Sequence, residues 1–335
     1  MDKKERQELI IRVSKEKEYI KISDIIDIAG ISRTTLFRDL SELVEKGILE
    51  EVGKWKYRDK ESITDYLSKP FFDREKKDYN PAMLWDYIPN ESSFLNKKQI
   101  EILNNAISNL NLDTDFWVNN KRLIETVLID LSFASSYLEW NTYDYLDTEV
   151  LIKYNQIAKD KKQEETQMIL NHKKAIEYMI YYKKEIAYDK KLFFEIHTLL
   201  ADGFLKKDEI WVLRNKKVEI WWSAYQPLEN KSQLDKEFDI FIQKLNEIKN
   251  PFEQSVFIMI FILYFQLFAD INKRTSRIIC NIPFLKNNLP LISLLSVGKR
   301  DYITSLLAIY ELNDASMLTQ IFVENYIKNI WRYVG

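Results

Sequence analysis

The stretch FQLFADINKRTSR, residues 265–277, places polar and charged side chains directly after an almost wholly apolar run. If a helix begins within this stretch, its first N–H groups and the positive end of its dipole attract an anion. We therefore predict that Asn272, Lys273 and Arg274 line an anion site, and that Arg277 points back to it from one turn later. Asp270 is then expected to hold a divalent cation that is bound together with a phosphate.

The same stretch resembles the signature of the Fic family of protein AMP transferases, H-x-F-x-[D/E]-G-N-G-R-x-x-R. The matching positions are Phe268, Asp270, Asn272, Arg274 and Arg277. Gln266 stands at the family's histidine, and Ile271 and Lys273 replace its two glycines. The resemblance implies a Fic fold and a site for ATP, or another nucleotide, with Mg²⁺. The nucleotide-binding residues that it implies are Asn272, Lys273, Arg274 and Arg277.

Other parts of the chain resemble the same family. Residues 210–229, IWVLRNKKVEIWWSAYQPLE, resemble its flap, an arginine followed by a short hairpin that positions the target segment. The flap residues that this implies are Arg214, Val218 and Ile220. Residues 66–90 resemble the lead-in of longer Fic proteins, and residues 298–327 resemble the closing helices. The resemblance thus covers roughly residues 65–330.

A further segment, SSYLEWN at 135–141, resembles the family's inhibitory pattern [S/T]-x-x-x-E-[G/N]. Ser135 and Glu139 keep the pattern, whereas Trp140 departs from it. In the family this glutamate pairs with the last arginine of the motif and blocks productive placement of ATP. The resemblance therefore implies a pair between Glu139 and Arg277.

The departures in the motif change the expected chemistry. The family's histidine removes a proton from the target hydroxyl, a role that typically contributes ~10²–10⁴-fold to the rate. Gln266 is an amide without a basic lone pair near neutral pH, so it orients a hydroxyl but does not take its proton. Glycine lets the backbone approach phosphate and adopt positive φ, and a β-branched residue such as Ile271 is poorly suited to that conformation. Lys273 compensates in part, because an ammonium binds phosphate.

No other residue is a clear replacement for the base, so we expect no standard catalytic residue. The chain has only two histidines, His172 and His197, and we interpret both as structural because neither has an acid or metal partner nearby in the sequence. Cys280 is expected to lie in the core. Two interpretations of the charged loop stay open: retained nucleotide binding, or an ion-pair network that only ties the loop to Glu139.

Residues 1–60 show a different pattern. Helix, short helix, tight turn, helix and hairpin follow one another, the order of a winged helix-turn-helix. ISRTTLFRDLSELVEKGIL, residues 31–49, resembles the recognition segment of DeoR-type bacterial regulators. The predicted contacts with double-stranded DNA are Arg33, Thr34, Thr35 and Arg38 at the start of the recognition helix, and Lys54 and Lys56 in the wing. The alternative is a winged helix that contacts only protein.

Composition limits the class of protein. Only six glycines and seven prolines among 335 residues favour a mostly α fold. The net charge of −2 provides no global field for nucleic acid, and the single cysteine excludes an internal disulfide. The apolar run 255–268 is shorter than the ~20 residues of a membrane span, so we expect a cytoplasmic protein without membrane contact. The expected domains are 1–60, a winged helix; 61–95, a packed linker; and 96–335, an all-α Fic domain with a small β-hairpin flap.

The favoured hypothesis is a DNA-associated regulator, a homodimer like most winged-helix regulators, whose Fic half senses a nucleotide or a partner protein. The alternative is a protein adenylyltransferase with a non-standard active site. A third hypothesis is a scaffold that holds a partner through the segment KKVEIWWSAY. There we expect one of the adjacent Trp221 and Trp222 to pack and the other to be partly covered.

Overall fold

The computed structural model describes residues 2–15, 17, 19–53, 55–59, 63–108, 110, 117, 120–182 and 185–333. The chain divides into two compact units, residues 1–74 and 75–335. Helices dominate the described residues, which confirms the predicted mostly α fold class.

The first unit is built from short helices and a small sheet. Its elements are α1 (Lys3–Lys15), β1 (Ile20–Lys21), α2 (Ile22–Ala29), α3 (Arg33–Glu45), β2 (Leu49–Gly53), β3 (Lys56–Asp59) and α4 (Ile63–Ser68), followed by a 3₁₀ turn at Phe71–Asp73. The strand order is β1-β3-β2, with both pairs antiparallel. The hairpin of β2 and β3 carries an irregularity between Glu51 and Gly53.

The start of helix α3 is fixed by a capping residue, and its position against α1 by an ion pair and apolar packing. The hydroxyl of Ser32 accepts a hydrogen bond from the backbone N–H of Thr35, which caps the helix start. Leu36 and Leu40 of α3 pack into the core of the unit. Arg6 of α1 donates to the buried carboxylate of Asp39 at 2.7 Å, so α1 and α3 are joined by charge as well as by apolar packing.

The second unit is a bundle of helices with two very short strands. Its helices are α5 (Ala82–Trp85), α6 (Lys97–Ser108), α7 (Lys121–Tyr137), α8 (Tyr145–Tyr154), α9 (Gln163–Tyr182), α10 (Lys190–Ala201), α11 (Lys231–Glu247), α12 (Pro251–Phe265), α13 (Asn272–Ile279), α14 (Ile282–Lys286), α15 (Lys299–Leu312) and α16 (Ser316–Ile330). Its strands are β4 (Lys77–Asp78) and β5 (Tyr225–Gln226), which pair in parallel.

Helix α12 is the centre of this unit. Asn250 caps it, Pro251 occupies its first turn, and its side chains from 252 to 265 are buried. A helix that is apolar on every face belongs inside a protein core or a membrane. Here α7, α11, α13 and α15 belong to the same hydrophobic core. Across the described residues, no helix has the length and apolar character needed to cross a membrane.

The chain that leads into the bundle, residues 75–95, packs on α12. The buried carboxylate of Glu253 accepts hydrogen bonds from the Tyr87 hydroxyl at 3.0 Å, the Ser93 hydroxyl at 2.6 Å and the backbone N–H of Phe94 at 2.8 Å. A buried carboxylate is costly unless such donors surround it. This segment is therefore fixed to the central helix that ends at the charged motif.

Candidate functional site

The charged motif forms the loop between α12 and α13. Helix α12 ends at Gln266, whose backbone is left-handed with φ 50° and ψ 60°. Helix α13 starts at Asn272 after Ile271, which is also left-handed with φ 70° and ψ 9°. Two turns of this kind bring the end of one buried helix close to the start of the next.

The backbone at Ile271 keeps the conformation that favours glycine although its side chain is β-branched. A left-handed non-glycine residue costs roughly 1–2 kcal/mol, and branching at Cβ makes the conformation rarer still. The Ile271 side chain is buried in the hydrophobic core of the unit, and this burial offsets part of the cost. A left-handed turn thus forms here at a β-branched residue.

Asn272 holds the loop from inside. Its side-chain oxygen accepts from the backbone N–H of Phe268 at 2.9 Å, and its amide donates to the Phe268 carbonyl at 2.8 Å. Both ends of the amide are therefore used within the protein. The residue predicted as a nucleotide ligand instead shapes the loop through its side chain, and its backbone N–H lies at the start of α13.

Arg277 and Glu139 form a buried ion pair. Nη2 of Arg277 lies 2.7 Å from Oε1 of Glu139, and the Arg277 side chain is 2% exposed. The other N–H groups of the guanidinium are also used: Nε donates to the Ser135 hydroxyl, Nη2 to the Ser135 carbonyl, and Nη1 to the Tyr302 hydroxyl. The end of α7 and the residues just after it are therefore fastened to α13 through Arg277.

Lys273 binds the second oxygen of the same carboxylate. Its Nζ lies 3.2 Å from Oε2 of Glu139. Burial by itself would raise the pKa of Glu139, but Arg277, Lys273 and Arg274 outweigh it and lower the pKa to about 2. The Glu139 carboxylate is therefore ionised throughout the physiological range, and both of its oxygens face cations.

Arg274 differs from Lys273 and Arg277, because it forms no ion pair with Glu139 among the described residues. Its Nε and Nη1 atoms are buried and have no hydrogen-bond partner among the described residues. The guanidinium lies 5.0 Å from the centre of the Phe204 ring. Burial lowers its pKa, although the nearby carboxylates of Glu139 and Asp270 act in the opposite direction. Buried N–H groups without a partner are rare in native proteins.

Gln266 occupies the position of the base and its amide is turned into the protein. The side-chain nitrogen donates to the Leu263 carbonyl at 2.7 Å and to the Tyr310 hydroxyl at 3.2 Å. Burial raises the pKa of Tyr310 far above its ordinary value, so this phenol does not act as a base at neutral pH. The amide nitrogen of Gln266 is therefore held inside the protein by a backbone carbonyl and a neutral phenol.

The remaining titratable groups near the loop do not supply a base. Burial lowers the pKa of His172 to about 3 and of His197 to about 4. His197 stacks on Phe268 at 3.7 Å and its Nε2 hydrogen-bonds to the Asp270 carbonyl at 3.2 Å. Burial raises the pKa of Cys280 to about 12, which keeps the thiol protonated in the core.

Asp270 is exposed, and one of its carboxylate oxygens accepts from the backbone N–H of Ile271 at 2.6 Å. Among the described residues, no group of three or more histidine, cysteine, aspartate or glutamate side chains is placed to hold a metal ion. A divalent cation at Asp270 would therefore take most of its other ligands from a bound phosphate and from water.

The flap is anchored at Arg214. The Arg214 guanidinium is buried and donates to the carbonyls of Gln266 at 2.5 Å, Lys216 at 3.1 Å and Leu228 at 2.5 Å. Its backbone N–H donates to the carbonyl of Leu267. The arginine at the base of the flap therefore fixes the start and the end of the flap to the motif loop.

The expected hairpin in the flap is wrong, because residues 210–224 contain no strand. The strand that follows, Tyr225–Gln226, pairs in parallel with β4 instead of folding back on the flap. Left-handed backbone at Trp211 and Trp222 interrupts the extended run on both sides. Val218 and Ile220 are half-buried there. The guanidinium of Arg214 takes carbonyls that a hairpin ladder would use.

Trp221 and Trp222 are both exposed, at 83% and 62%. The expectation that one of them packs is therefore wrong. The Ser223 hydroxyl and the Ala224 N–H just after them bind the carboxylate of Glu311, which fixes the end of the flap to α15. The turn between Ile220 and Ser223 projects both rings outward from this anchor.

The residues predicted to contact DNA lie in the first unit. Arg33, Thr34 and Arg38 are exposed on α3, whereas Thr35 is half-buried and its hydroxyl hydrogen-bonds to that of Ser32. The guanidinium of Arg33 lies 5.7 Å from the centre of the Phe37 ring and 5.8 Å from that of the Trp55 ring. Lys56 is half-buried over the ring of Tyr19, and Lys54 lies outside the described residues.

Comparison with known proteins identifies the central part of the second unit. Residues 187–283, which contain the flap, α12 and the motif loop, match the model of the Fic/DOC family. This segment is a Fic/DOC family domain. No curated protein matches the chain at a significant level.

Solved structures share the fold around the Fic/DOC domain. Fic-1 from C. elegans, residues 134–508, is 17% identical with a TM-score of 0.58, and the match covers 71% of this chain and 72% of that one. A Fic family protein from Desulfovibrio desulfuricans is 16% identical with a TM-score of 0.60, covering 74% and 77%. A Fic domain containing signaling protein from Bacteroides thetaiotaomicron is 16% identical with a TM-score of 0.56, covering 71% and 94%.

Sequence reasoning missed several partners of the motif. Tyr302 receives one N–H of Arg277, Tyr310 supports Gln266, and the Phe204 ring lies over Arg274. They come from α15 and from the turn after α10, so no local spacing links them to the motif. Tyr302 and Tyr310 do lie within the segment 298–327 that resembles the family's closing helices.

The ion pair of Glu139 predicts a pH-dependent stability. The folded pKa lies below the ordinary value, so the pair stabilises above about pH 4.5 and its contribution disappears as the pH falls towards 2. The maximum is on the order of 3 kcal/mol. We expect Glu139→Gln to unfold more easily than the wild type at pH 7 and the difference to shrink between pH 5 and 2. Urea unfolding at each pH measures this, with exposed Glu101→Gln as the control. A difference that stays constant with pH would contradict the pairing.

Proposed function

We propose that the protein is a DNA-associated regulator whose second unit binds a nucleotide without transferring part of it. The observation that carries the nucleotide half is Arg274, with two buried guanidinium nitrogens that lack a partner among the described residues. They lie on the first turn of α13, where backbone N–H groups and the helix dipole also favour an anion. A nucleotide phosphate supplies the acceptor oxygens that this position lacks.

The residues of the loop have separate roles in such a complex. Arg274 binds a phosphate, and Asn272 contributes the N–H at the helix start while its side chain holds the loop closed. Asp270 faces outward and would share a Mg²⁺ ion with the phosphates, where the ion would neutralise part of their charge. Lys273 and Arg277 are engaged with Glu139 and become phosphate ligands only when that carboxylate moves.

The proposal of binding without transfer rests on the amide of Gln266. Transfer of AMP to a hydroxyl requires removal of the hydroxyl proton, and an amide does not accept it near neutral pH. Tyr310, His172 and His197 do not replace it, since burial keeps the phenol protonated and lowers the pKa of both enclosed imidazoles, which makes them weak bases. In this sense the active-site motif is degenerate.

The DNA half of the proposal rests on the first unit, which we interpret as a winged helix-turn-helix. Its helices α2 and α3 and the β2–β3 hairpin follow the order of that fold. Exposed Arg33 and Arg38 lie on α3, and Trp55 of the hairpin meets Phe37 of α3 with ring centres 4.5 Å apart. A recognition helix and a wing held together in this way suit double-stranded DNA. We further propose a homodimer acting on paired half-sites.

The exposed part of the flap favours contact with a protein partner. Trp221 and Trp222 project from a flap whose two ends are anchored by Arg214 and Glu311. Exposed tryptophans on a fixed support are typical of protein interfaces. We propose that this part of the flap contacts the partner or the target segment.

The alternative function is that of a protein adenylyltransferase with a non-standard active site. It is favoured by the four motif residues Asp270, Asn272, Arg274 and Arg277: Asp270 precedes α13, Asn272 and Arg274 lie in its first turn, and Arg277 lies one turn later. In that case Gln266 would position the hydroxyl and the reaction would depend on orientation and on charge stabilisation by Arg274.

Removal of the Arg274 charge tests the nucleotide site. With Mg²⁺ and a nucleotide at 100 times its Kd, the bound wild type should gain about 2.7 kcal/mol of stability. We expect a rise in Tm with at least one of ATP, ADP, GTP and CTP, and loss of that rise in Arg274→Gln. Lys207→Gln, a change of an exposed cation, is the control. A nucleotide-dependent rise that persists in Arg274→Gln would contradict the assignment.

The DNA contact is tested by binding to duplex from upstream of the protein's own coding sequence and to random duplex. Arg33→Ala and Arg38→Ala should each weaken specific binding by about 1–3 kcal/mol if they contact bases, or reduce the salt dependence if they contact phosphate. Lys4→Ala, which removes an exposed cation from α1 and leaves α3 unchanged, is the matched control. Equal affinity of all variants for both duplexes, measured by fluorescence anisotropy, would exclude the regulator.

Incubation with labelled ATP and Mg²⁺ separates the two functions. We expect no labelled protein with the wild type or with Glu139→Gly, which removes the inhibitory carboxylate. Gln266→His in the Glu139→Gly background should restore little transfer, because Ile271 and Lys273 still replace the glycines. Label on lysate proteins or on the chain itself with Glu139→Gly alone, absent from a control without the protein, would favour the adenylyltransferase.

A further inference from the structure

The guanidinium of Arg274 is closed off from solvent in this structure. The residue is 7% exposed, and its Nε and Nη1 atoms are buried without a hydrogen-bond partner among the described residues. A phosphate oxygen reaches a buried nitrogen only after the group that covers it has moved. The proposed phosphate site therefore needs a part that moves.

The ring of Phe204 covers this guanidinium. The centre of the ring lies 5.0 Å from the central carbon of the Arg274 guanidinium. Phe204 is half-buried, whereas Arg274 is almost wholly enclosed, so the ring lies on the solvent side of the cation. The face of an aromatic ring attracts a cation at this distance, and the attraction is stronger where water is excluded. The ring thus stabilises the buried charge of Arg274.

The backbone that carries Phe204 is held in place, so the ring moves by rotation of its side chain. Phe204 lies in the turn after α10, where its N–H donates to the Ala201 carbonyl at 2.9 Å. The buried amide of Asn171 on α9 donates to the carbonyls of Leu200 at 3.1 Å and Asp202 at 2.7 Å. A change of rotamer at Phe204 therefore uncovers Arg274 while α9, α10 and the turn keep their positions.

The contact between ring and cation is weak enough for a phosphate to replace it. Charge-assisted hydrogen bonds from a guanidinium to a phosphate are strong, and the Nε and Nη1 groups of Arg274 offer two of them. A cation–π contact is weaker than such a pair of bonds. A ligand that carries a phosphate therefore displaces the ring, whereas a neutral ligand gains nothing by doing so.

We propose that Phe204 is a gate over the phosphate site: its ring covers Arg274 and must turn away before a phosphate reaches Nε and Nη1. This inference rests on the proposed nucleotide binding and adds a step that precedes it. Because only the open form accepts phosphate, the apparent Kd is the intrinsic Kd divided by the open fraction. Loss of the attraction between ring and cation should lower the apparent Kd by about 2- to 30-fold, the range that corresponds to one such contact.

The first test measures access to Arg274 in the absence of ligand. The full-length wild type and the variants Phe204→Ala, Phe204→Leu and Phe204→Tyr are treated with phenylglyoxal, which reacts with accessible guanidinium groups. Peptide mass spectrometry follows the modification of each arginine. We expect Arg274 to react about threefold faster or more in Phe204→Ala and Phe204→Leu, and at the wild-type rate in Phe204→Tyr, which keeps the ring.

Two other arginines serve as controls within each sample. Exposed Arg300 should react at the same rate in all four proteins, which shows that the reagent is equally active. Buried Arg214, whose three nitrogens are hydrogen-bonded to carbonyls, should stay protected, which shows that the variant is folded. Phe204→Leu keeps an apolar side chain in the turn and provides the comparison if Arg214 reacts in Phe204→Ala.

The second test measures binding by calorimetry, with inorganic pyrophosphate and with ATP and Mg²⁺. The same four proteins are compared with Phe94→Leu, a matched change of a half-buried ring in the segment before α6. We expect a Kd about 2- to 30-fold lower for both ligands in Phe204→Leu, because both carry the group that replaces the ring. Phe204→Tyr and Phe94→Leu should bind as the wild type does.

The outcomes separate the gate from the function on which it rests. Equal reactivity of Arg274 in the wild type and in folded Phe204→Leu overturns the gate. An unchanged Kd in Phe204→Leu overturns it as well, and a higher Kd makes the ring a positioning residue that holds the arginine for its ligand. If none of the proteins binds either ligand, the proposed function is overturned, and the reactivity of Arg274 decides by itself whether Phe204 covers it.

Discussion

The pairing of Glu139 with Arg277 and Lys273 is the constraint on which the rest of the site depends. It joins the end of α7 to the first turns of α13 at a place that is almost closed to solvent. A buried charge is tolerated only when its partners surround it, and breaking such a pair is strongly destabilising. Through this one carboxylate the segment just after α7 is held against Lys273 and Arg277, on either side of Arg274 in the sequence.

In the motif loop, the conformation of the backbone does not depend on the residue types of the signature that it resembles. Ile271 keeps a left-handed conformation and Gln266 ends α12 in another, so the path of the chain between the two helices is preserved. Asn272 closes that path from within. The features required for proton removal have changed in the same segment, since Gln266 is an amide.

Much of this arrangement was predictable from the sequence because it depends on local spacing. The apolar run before Gln266 predicted a buried helix, Ser32 predicted the start of α3, and the interval from Asp270 to Arg277 predicted a helix start lined with cations. The pair of Glu139 and Arg277 followed from resemblance and not from spacing, since 138 positions separate them.

The remaining features depend on contacts between distant elements, which a single sequence does not reveal. Tyr302 and Tyr310 meet the motif from α15, and nothing in their own segment marks them as partners of an arginine or an amide. The flap was expected as a hairpin because residues 210–229 resemble the family's flap, but the Arg214 guanidinium binds the carbonyls of Lys216 and Leu228 near its two ends. The prediction that one of Trp221 and Trp222 packs depended on that expected hairpin, because adjacent residues of a strand face opposite sides.

The parallel pair of β4 and β5 joins the first residues of the second unit to the residues at the end of the flap. Lys77 donates its backbone N–H to Ala224 and Tyr79 donates to Gln226, so the chain just past residue 74 is bonded to the residues that close the flap. The first residues of the second unit are therefore bonded to the end of the flap before the chain enters any helix of the bundle. A pull on residue 75 would therefore reach the flap through these backbone hydrogen bonds, without involving any side chain of the motif loop.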